Sequence, residues 1–221
     1  MPSHIKTYLS NNLIWTEGRY IFLITSILFC IGLYANSLLA TISFAFIVFT
    51  LFFFRNPTRT IPAIALRDPH LLLSPADGRI IAIENIQDPL IGDAVRIAIF
   101  LSPCNVHVNW IPSDGMIQNM HYYPGKFIVA FAPKSSDINE HNDIIIKTDT
   151  GHTIIIRQIA GFIARRIACW ITKGERVHKN QKYGMIRFGS RVELIVPANT
   201  NIFVTIHQRV QGISTIIGKL P

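Results

Sequence analysis

Ile144-Ile145-Ile146-Lys147-Thr148-Asp149-Thr150-Gly151-His152-Thr153-Ile154-Ile155-Ile156-Arg157-Gln158-Ile159-Ala160 decides how most of the chain is read. Two short runs dense in isoleucine, Ile144–Lys147 and Thr153–Ala160, flank a turn signal at Gly151. β-Branched side chains pack well on a pleated surface, and runs this short bounded by turn formers read as strands. The same pattern recurs in both directions, at Arg79–Ile83, Ala94–Leu101, Asn105–Ile111, Phe162–Ile171, Val192–Val196 and Ile202–His207. Asp77-Gly78 and Asp114-Gly115 mark further boundaries. No long amphipathic helix follows residue 70, and there is no repeat of fixed period. The expected fold is therefore mainly β, a compact domain resembling a sandwich or barrel.

Upstream the character changes. Tyr20–Phe54 holds no charged side chain and is bounded by Arg19 and Arg55. It is too long for a secretory signal and lacks a small-residue cleavage site. As one straight helix it would be about 52 Å long, against a bilayer core of about 30 Å. Gly32, Asn36 and Ser37 supply a break, so a helical hairpin over roughly Tyr20–Tyr34 and Leu38–Phe54 is expected. Each arm falls a little short of the ~20 residues of a full span, which leaves a shallow or re-entrant hairpin open. Lys6 and Arg19 before it, and Arg55 and Arg59 after it, put both ends on the cytoplasmic side of the cell (inner) membrane. Residues 1–19 form an N-terminal flank, 20–54 the membrane-associated hairpin and 55–221 the β-rich domain, joined by a connector punctuated by Pro57, Pro62 and Pro69.

The chain has 221 residues, 49% of them hydrophobic, enough for one core and a separate membrane element. Its net charge of +8 suits an anionic partner, and the apolar N-terminal region favours lipid over nucleic acid. Cys30, Cys104 and Cys169 are odd in number and far apart, so neither a disulfide framework nor a zinc site is expected, and no metal is assigned. Phosphate-binding glycine loops, H-E-x-x-H and the G-x-S-x-G elbow are all absent.

Gly189-Ser190 sits between a glycine-punctuated loop (Gly174, Gly184) and the strand Val192–Val196. Glycine reaches backbone angles closed to other residues, and strain can prime a bond for attack. The Ser190 hydroxyl can attack the Gly189 carbonyl to give an ester, provided a base takes its proton and donors meet the oxyanion. Elimination from that ester leaves dehydroalanine, which hydrolyses to a pyruvoyl group, an electron sink for amine substrates. A Gly-Ser pair alone is also an ordinary turn.

Gly184-Met185-Ile186-Arg187-Phe188-Gly189-Ser190-Arg191-Val192 resembles the corresponding segment of the short-form phosphatidylserine decarboxylases. Further matching segments follow in family order. They are Arg55-Asn56-Pro57, Ser74-Pro75-Ala76-Asp77-Gly78, Leu101-Ser102-Pro103 with Asn105-Val106-His107-Val108-Asn109, Asn139-Glu140, and Ala160-Gly161 with Ala164-Arg165-Arg166-Ile167. The resemblance covers roughly residues 55–210. It implies self-cleavage at Gly189–Ser190 into a large chain 1–189 and a small chain 190–221, which stay together as a heterodimer. It also implies that Ser190 becomes a covalent pyruvoyl cofactor, the Schiff-base partner of a phospholipid substrate, and that the product is phosphatidylethanolamine. Asp77 matches the aspartate of the self-cleavage triad, although Pro-Ala-Asp-Gly is also a good turn. His107 is the candidate base or proton donor.

Two departures from the family pattern bear on the proton-handling groups. Long-form enzymes carry a second histidine where this chain has Trp110, and Asn105 replaces the aspartate of the short-form Asp-Val-His pattern. His121, His141 and His152 are the alternatives to His107. On a strand over Asn105–Ile111, Val106, Val108 and Trp110 would share an apolar face, with His107 and Asn109 turned away from it. Arg165 and Arg166 are candidates for lipid phosphate or the substrate carboxylate, and a solvated sheet edge would suit them as well. Decarboxylation of another serine-headed lipid such as archaetidylserine, and a non-enzymatic membrane-tethered β adaptor, are the rival readings.

Overall fold

A computed structural model of the chain describes residues 11–125, 139–161, 167–187 and 190–221. The chain forms two compact units that divide after Pro57. In the first, a short π-helical turn (Ile14–Gly18) leads into α1 (Arg19–Ala35), and α2 (Ser37–Phe53) returns. Asn36 separates the arms with an extended backbone, and its Oδ1 accepts the Leu38 and Leu39 N–H groups at the start of α2. That is an asparagine N-cap. Beside it Gly32 lies against Ala40, where a Cβ would stand 2.4 Å from the Ala40 nitrogen, so only glycine lets the arms approach this closely. Thr25, Ser26, Thr41, Ser43 and Thr50 each donate their hydroxyl to a carbonyl one turn earlier. These five hydroxyls are thus satisfied within their own helices, as an apolar surrounding demands. Ile14–Ala35, 22 residues, is long and apolar enough to cross a membrane, and Leu23, Ile24, Ile27, Phe44, Phe46 and Val48 point outward.

In the second unit a short helix, α3 (Ala63–Arg67), precedes fourteen strands among the described residues. Eight of them form one antiparallel sheet that curls as a half-barrel. In chain order they are β2 (Gly78–Asp88), β3 (Gly92–Leu101), β5 (Gly115–Tyr123), β6 (His141–Thr148), β7 (Thr153–Ile159), β9 (Arg176–Val177), β11 (Ser190–Pro197) and β13 (Arg209–Val210). Their spatial order is β13-β2-β3-β11-β7-β6-β5-β9. Two three-stranded sheets complete the fold: β1 (Leu71–Leu73), β14 (Ile216–Lys219) and β12 (Asn201–Ile202), and β4 (Val108–Trp110), β10 (Lys182–Ile186) and β8 (Ile167–Cys169).

The period of two sorts the large sheet into faces. Ile97, Ile99 and Leu101 of β3, Ile144 and Ile146 of β6, Ile154 and Ile156 of β7, and Val192, Leu194 and Val196 of β11 enter one core. Ile145, Ile155 and Ile195, one residue out of phase, form a smaller cluster with Ala94 on the opposite face. Gly151 makes the β6–β7 turn with φ +87°, in the left-handed region that favours glycine.

Three expected strands are shorter than the apolar pattern implies: of Phe162–Ile171, residues 162–166 lie outside the described residues and the strand runs only over Ile167–Cys169. Ile202–His207 pairs only at Asn201–Ile202. In Asn105–Ile111 only Val108–Trp110 is strand, because Asn105 closes a turn: its Oδ1 accepts both the N–H (2.9 Å) and the hydroxyl (2.8 Å) of Ser102. His107 therefore lies in the loop leading into β4. It is as fully buried as Val108 and Trp110, since this segment sits beneath the large sheet rather than at a surface.

Candidate active site

Ser190 is the first residue of β11 and pairs with Leu101, the last residue of β3. It precedes Val192 on the core-facing side, is fully buried, and its Oγ makes no hydrogen bond among the described residues. Buried polar atoms are nearly always paired, so an idle hydroxyl at the head of a central strand marks a place built for something other than packing.

The register brings Asp77 to the same end of the sheet. Arg79 of β2 and Arg191 of β11 both pair with Phe100 of β3, so Asp77 and Ser190 stand just beyond that row with one strand between them, about 10 Å apart in the sheet direction. Both Asp77 oxygens are held: Oδ1 accepts the Gly212 N–H at 2.7 Å and Oδ2 the Arg59 guanidinium at 2.7 Å. The turn before it is braced by Ser74, whose hydroxyl donates to the Ala76 carbonyl. Arg59 belongs to the connector, which is held in turn by Asn180, whose amide donates to the Arg59 carbonyl. The neighbouring Lys179 ammonium donates to the carbonyls of Ala65 and Asp68, and burial lowers that lysine's pKa.

His107 follows Leu101 in the same loop, and its own carbonyl accepts the Ile186 N–H from β10. Its Nδ1 faces the Asn105 carbonyl at 3.0 Å. A carbonyl only accepts, so Nδ1 carries a proton, and it is the Nδ1–H tautomer that the neutral ring adopts in this contact. The orienting group is thus the backbone of Asn105, whose side chain closes the turn.

Trp110 does not stand in for the second histidine. Its ring packs on Gly212, where a Cβ would fall 2.4 Å from it, and lies 5.9 Å from the Arg59 guanidinium carbon. The Asp77 corner accordingly holds an arginine, a backbone N–H and an indole.

The alternative histidines lie elsewhere. His152 is in the β6–β7 turn, at the far end of the sheet, with Nε2 on the Pro221 carbonyl. His121 is exposed and bonded to Asn119. His141 reaches the Ser190 end of the sheet, but it alternates with Asn142 and so takes the opposite face, stacked on Tyr123 at 4.6 Å. Gly189, Arg165 and Arg166 lie outside the described residues. Among the described residues no group of histidine, cysteine and carboxylate side chains has the arrangement of a metal site.

Sequence reasoning missed a buried amide series on the core face. Asn142 Nδ2 donates to Gln158 Oε1 (3.3 Å), and Gln158 Nε2 donates to Asn109 Oδ1 (2.8 Å). Gln158 and Asn109 are fully buried. One sign was available: Asn142 and Gln158 fall on the apolar phase of their strands, where a polar residue must find a partner.

An apolar helical hairpin thus precedes a half-barrel β unit whose central strand opens on a buried serine. A family profile described as phosphatidylserine decarboxylase matches residues 46–218. The chain is 43% identical over 176 residues to the phosphatidylserine decarboxylase proenzyme of Burkholderia pseudomallei (strain 1106a), covering 79% of this chain and 80% of that one. The proenzyme of the same name from Burkholderia cenocepacia (strain HI2424) is 44% identical over 175 residues, with the same coverage. The chain belongs to the phosphatidylserine decarboxylase family, and it is a carboxy-lyase.

Proposed function

We propose that the chain is made as a proenzyme, cuts itself between Gly189 and Ser190, and then converts phosphatidylserine to phosphatidylethanolamine at the membrane surface. The observation that carries this reading is the buried Ser190 hydroxyl, idle at the head of β11, in a chain of this family. The residue also fits conversion to a pyruvoyl group: loss of its hydroxyl breaks no hydrogen bond made by that oxygen among the described residues.

In self-cleavage the Ser190 oxygen attacks the Gly189 carbonyl and an ester replaces the amide. Loss of the Ser190 α-proton then expels the Gly189 carboxylate, and hydrolysis of the resulting enamine releases ammonia and leaves the ketone. His107, with its lone pair on Nε2, serves as the base for the hydroxyl and afterwards as a proton donor. Asp77 is the fixed negative charge of the self-cleavage machinery, balanced by Arg59. A pyruvoyl group at position 190 would supply an electrophilic ketone for the substrate amine and a sink for the electron pair freed as CO2 leaves.

Cutting before β11 separates residues 1–189 from 190–221 without opening the fold. β11 pairs with β3 on one side and β7 on the other, while β13 and β14 pair with β2 and β1. These pairings support a heterodimer held by sheet hydrogen bonds. The hairpin keeps the β unit at the cytoplasmic face of the inner membrane, both ends marked by basic residues. Arg165 and Arg166 are offered to lipid phosphate or the substrate carboxylate, and the net positive charge draws the enzyme to anionic lipid.

Intact-mass spectrometry of the detergent-purified protein tests this reading. Two chains are expected, the smaller beginning with a ketone in place of an amine, and Ser190→Ala should remain one chain that releases no CO2 from phosphatidylserine. An active uncut wild type, or an active Ser190→Ala, overturns it.

A further inference from the structure

Resting on the self-cleavage reading, we infer that Asn109 is the oxyanion donor of the cleavage step: the relay Asn142–Gln158–Asn109 presents a buried, unused N–H at the Ser190 end of the core. Three observations support this assignment.

The first is position. Gln158 of β7 pairs with Val192 of β11, and Ser190 is the next residue on the same face toward that end of the sheet. Gln158 and Ser190 are therefore diagonal neighbours, about 7–8 Å apart and within reach of a long side chain. Gln158 extends beneath the sheet to Asn109 of β4, and Gly184 makes room for it: a Cβ there would lie 2.9 Å from Gln158 Nε2.

The second is direction. Asn142 Nδ2 fills Gln158 Oε1, so Gln158 turns its Nε2 to Asn109 and takes Asn109 Oδ1. Each amide thereby fixes the orientation of the next. The series must end on a donor, Asn109 Nδ2, which is fully buried and has no partner among the described residues.

The third is timing. The Ser190 hydroxyl and the Asn109 N–H are both buried without a partner among the described residues, as are the Trp110 Nε1 and the Tyr183 hydroxyl, and of these only Asn109 is bonded to Gln158, the diagonal neighbour of Ser190. A donor with no acceptor in the ground state stabilises only the charge that develops later, which is how such a group accelerates a step. As Oγ bonds to the Gly189 carbonyl carbon, its proton passes to the base and the carbonyl π pair moves onto oxygen, the charge for which Asn109 Nδ2 is the assigned donor. The oxyanion then collapses, the C–N bond breaks, and the Ser190 nitrogen leaves as an amine with the proton returned by the base.

Full-length chain made by cell-free translation in detergent lets the cut be followed in time by gel. Asn109→Asp removes the donor at constant shape. Gln158→Glu inverts the relay without touching Asn109: a carboxylate accepts from both neighbours, so Asn109 Nδ2 turns to it and is consumed. Both should slow cleavage by about 10²–10³-fold while keeping the wild-type circular dichroism. Hydroxylamine, which cuts esters but not amides, should release no fragment, since the ester never accumulates. Asn142→Asp, at the relay's least buried member, repeats the inversion and decides the matter if the other two fail to fold. Wild-type cleavage rates in a folded variant overturn the inference, as does an accumulating hydroxylamine-sensitive ester, which puts the defect after acyl transfer. An uncut wild type instead overturns the self-cleavage reading on which the inference stands.

Discussion

The two faces of β6, β7 and β11 solve the problem of buried polar groups in opposite ways. On the outer face the charges pair with one another. Arg157 holds Asp143 with two bonds of 2.6 and 2.7 Å, and Arg191 reaches Glu193 at 2.5 Å, with Glu193 fully buried. On the core face, one residue out of phase, the polar groups are neutral amides and a hydroxyl, and the Asn109 N–H and the Ser190 hydroxyl have no partner among the described residues. A row of mutually paired charges is a structural device, costly to break and with little left to offer a reactant. Neutral groups whose hydrogen-bonding capacity is unspent are the ones able to meet charge as it appears. Ser190 and Arg191 are adjacent in sequence and belong to different faces, and the proposed chemistry belongs to the face of the serine.

This contrast predicts which substitutions alter rate and which alter stability. The largest effect should come from the loop into β4, beneath the core face: His107→Ala removes the proposed base and should slow self-cleavage by about 10²–10⁴-fold, measured as the half-time of the two-chain product. The outer face should respond differently. Glu193→Leu leaves Arg191 buried without its carboxylate and should cost about 3–5 kcal/mol of stability, read as a lower Tm, while folded protein still cuts within a few-fold of the wild-type rate. A Glu193→Leu chain that folds normally but does not cut would erase the distinction between the faces. Gly212→Ala ranks lower: its methyl group meets the Trp110 ring and should cost about 1–3 kcal/mol by overpacking. Because Gly212 also gives its N–H to Asp77, the substitution tests whether that carboxylate must be held in place, which would appear as slower cutting beyond the loss of stability.

The parts of this arrangement legible in the sequence are those written locally. The isoleucine runs around Gly151 became β6 and β7, and the break at Asn36 became a capped turn between two helices. Ser190 stood out through the matching segments around it. What escaped was written across the chain. Gly212 and Asp77 are 135 residues apart, Gln158 and Asn109 are 49 apart, and only sheet register brings them together. Arg59 read as a topology marker beside the hairpin, and its second role needed the fold. The alternation of Asn105–Ile111 predicts a strand that carries His107. The Asn105 side chain overrode that pattern by closing a turn, a local hydrogen bond competing with the ladder.

Asn105 supplies the smallest of these tests, and it separates the two functions of one residue. Its side chain closes the turn on Ser102, and its carbonyl fixes the His107 tautomer. Asn105→Ala deletes only the first. It should cost about 1 kcal/mol of stability for the lost hydrogen bonds, seen as a modest drop in Tm, and the carbonyl should still hold the Nδ1 proton of His107. Cleavage should then slow far less than in His107→Ala. Asn105→Asp, which restores the residue of the short-form pattern, keeps both acceptor bonds to Ser102 and should melt close to wild type. If Asn105→Ala instead cuts as slowly as His107→Ala, the side chain rather than the carbonyl governs the base, and the replacement of aspartate at this position becomes a catalytic difference instead of a neutral exchange of turn-closing groups.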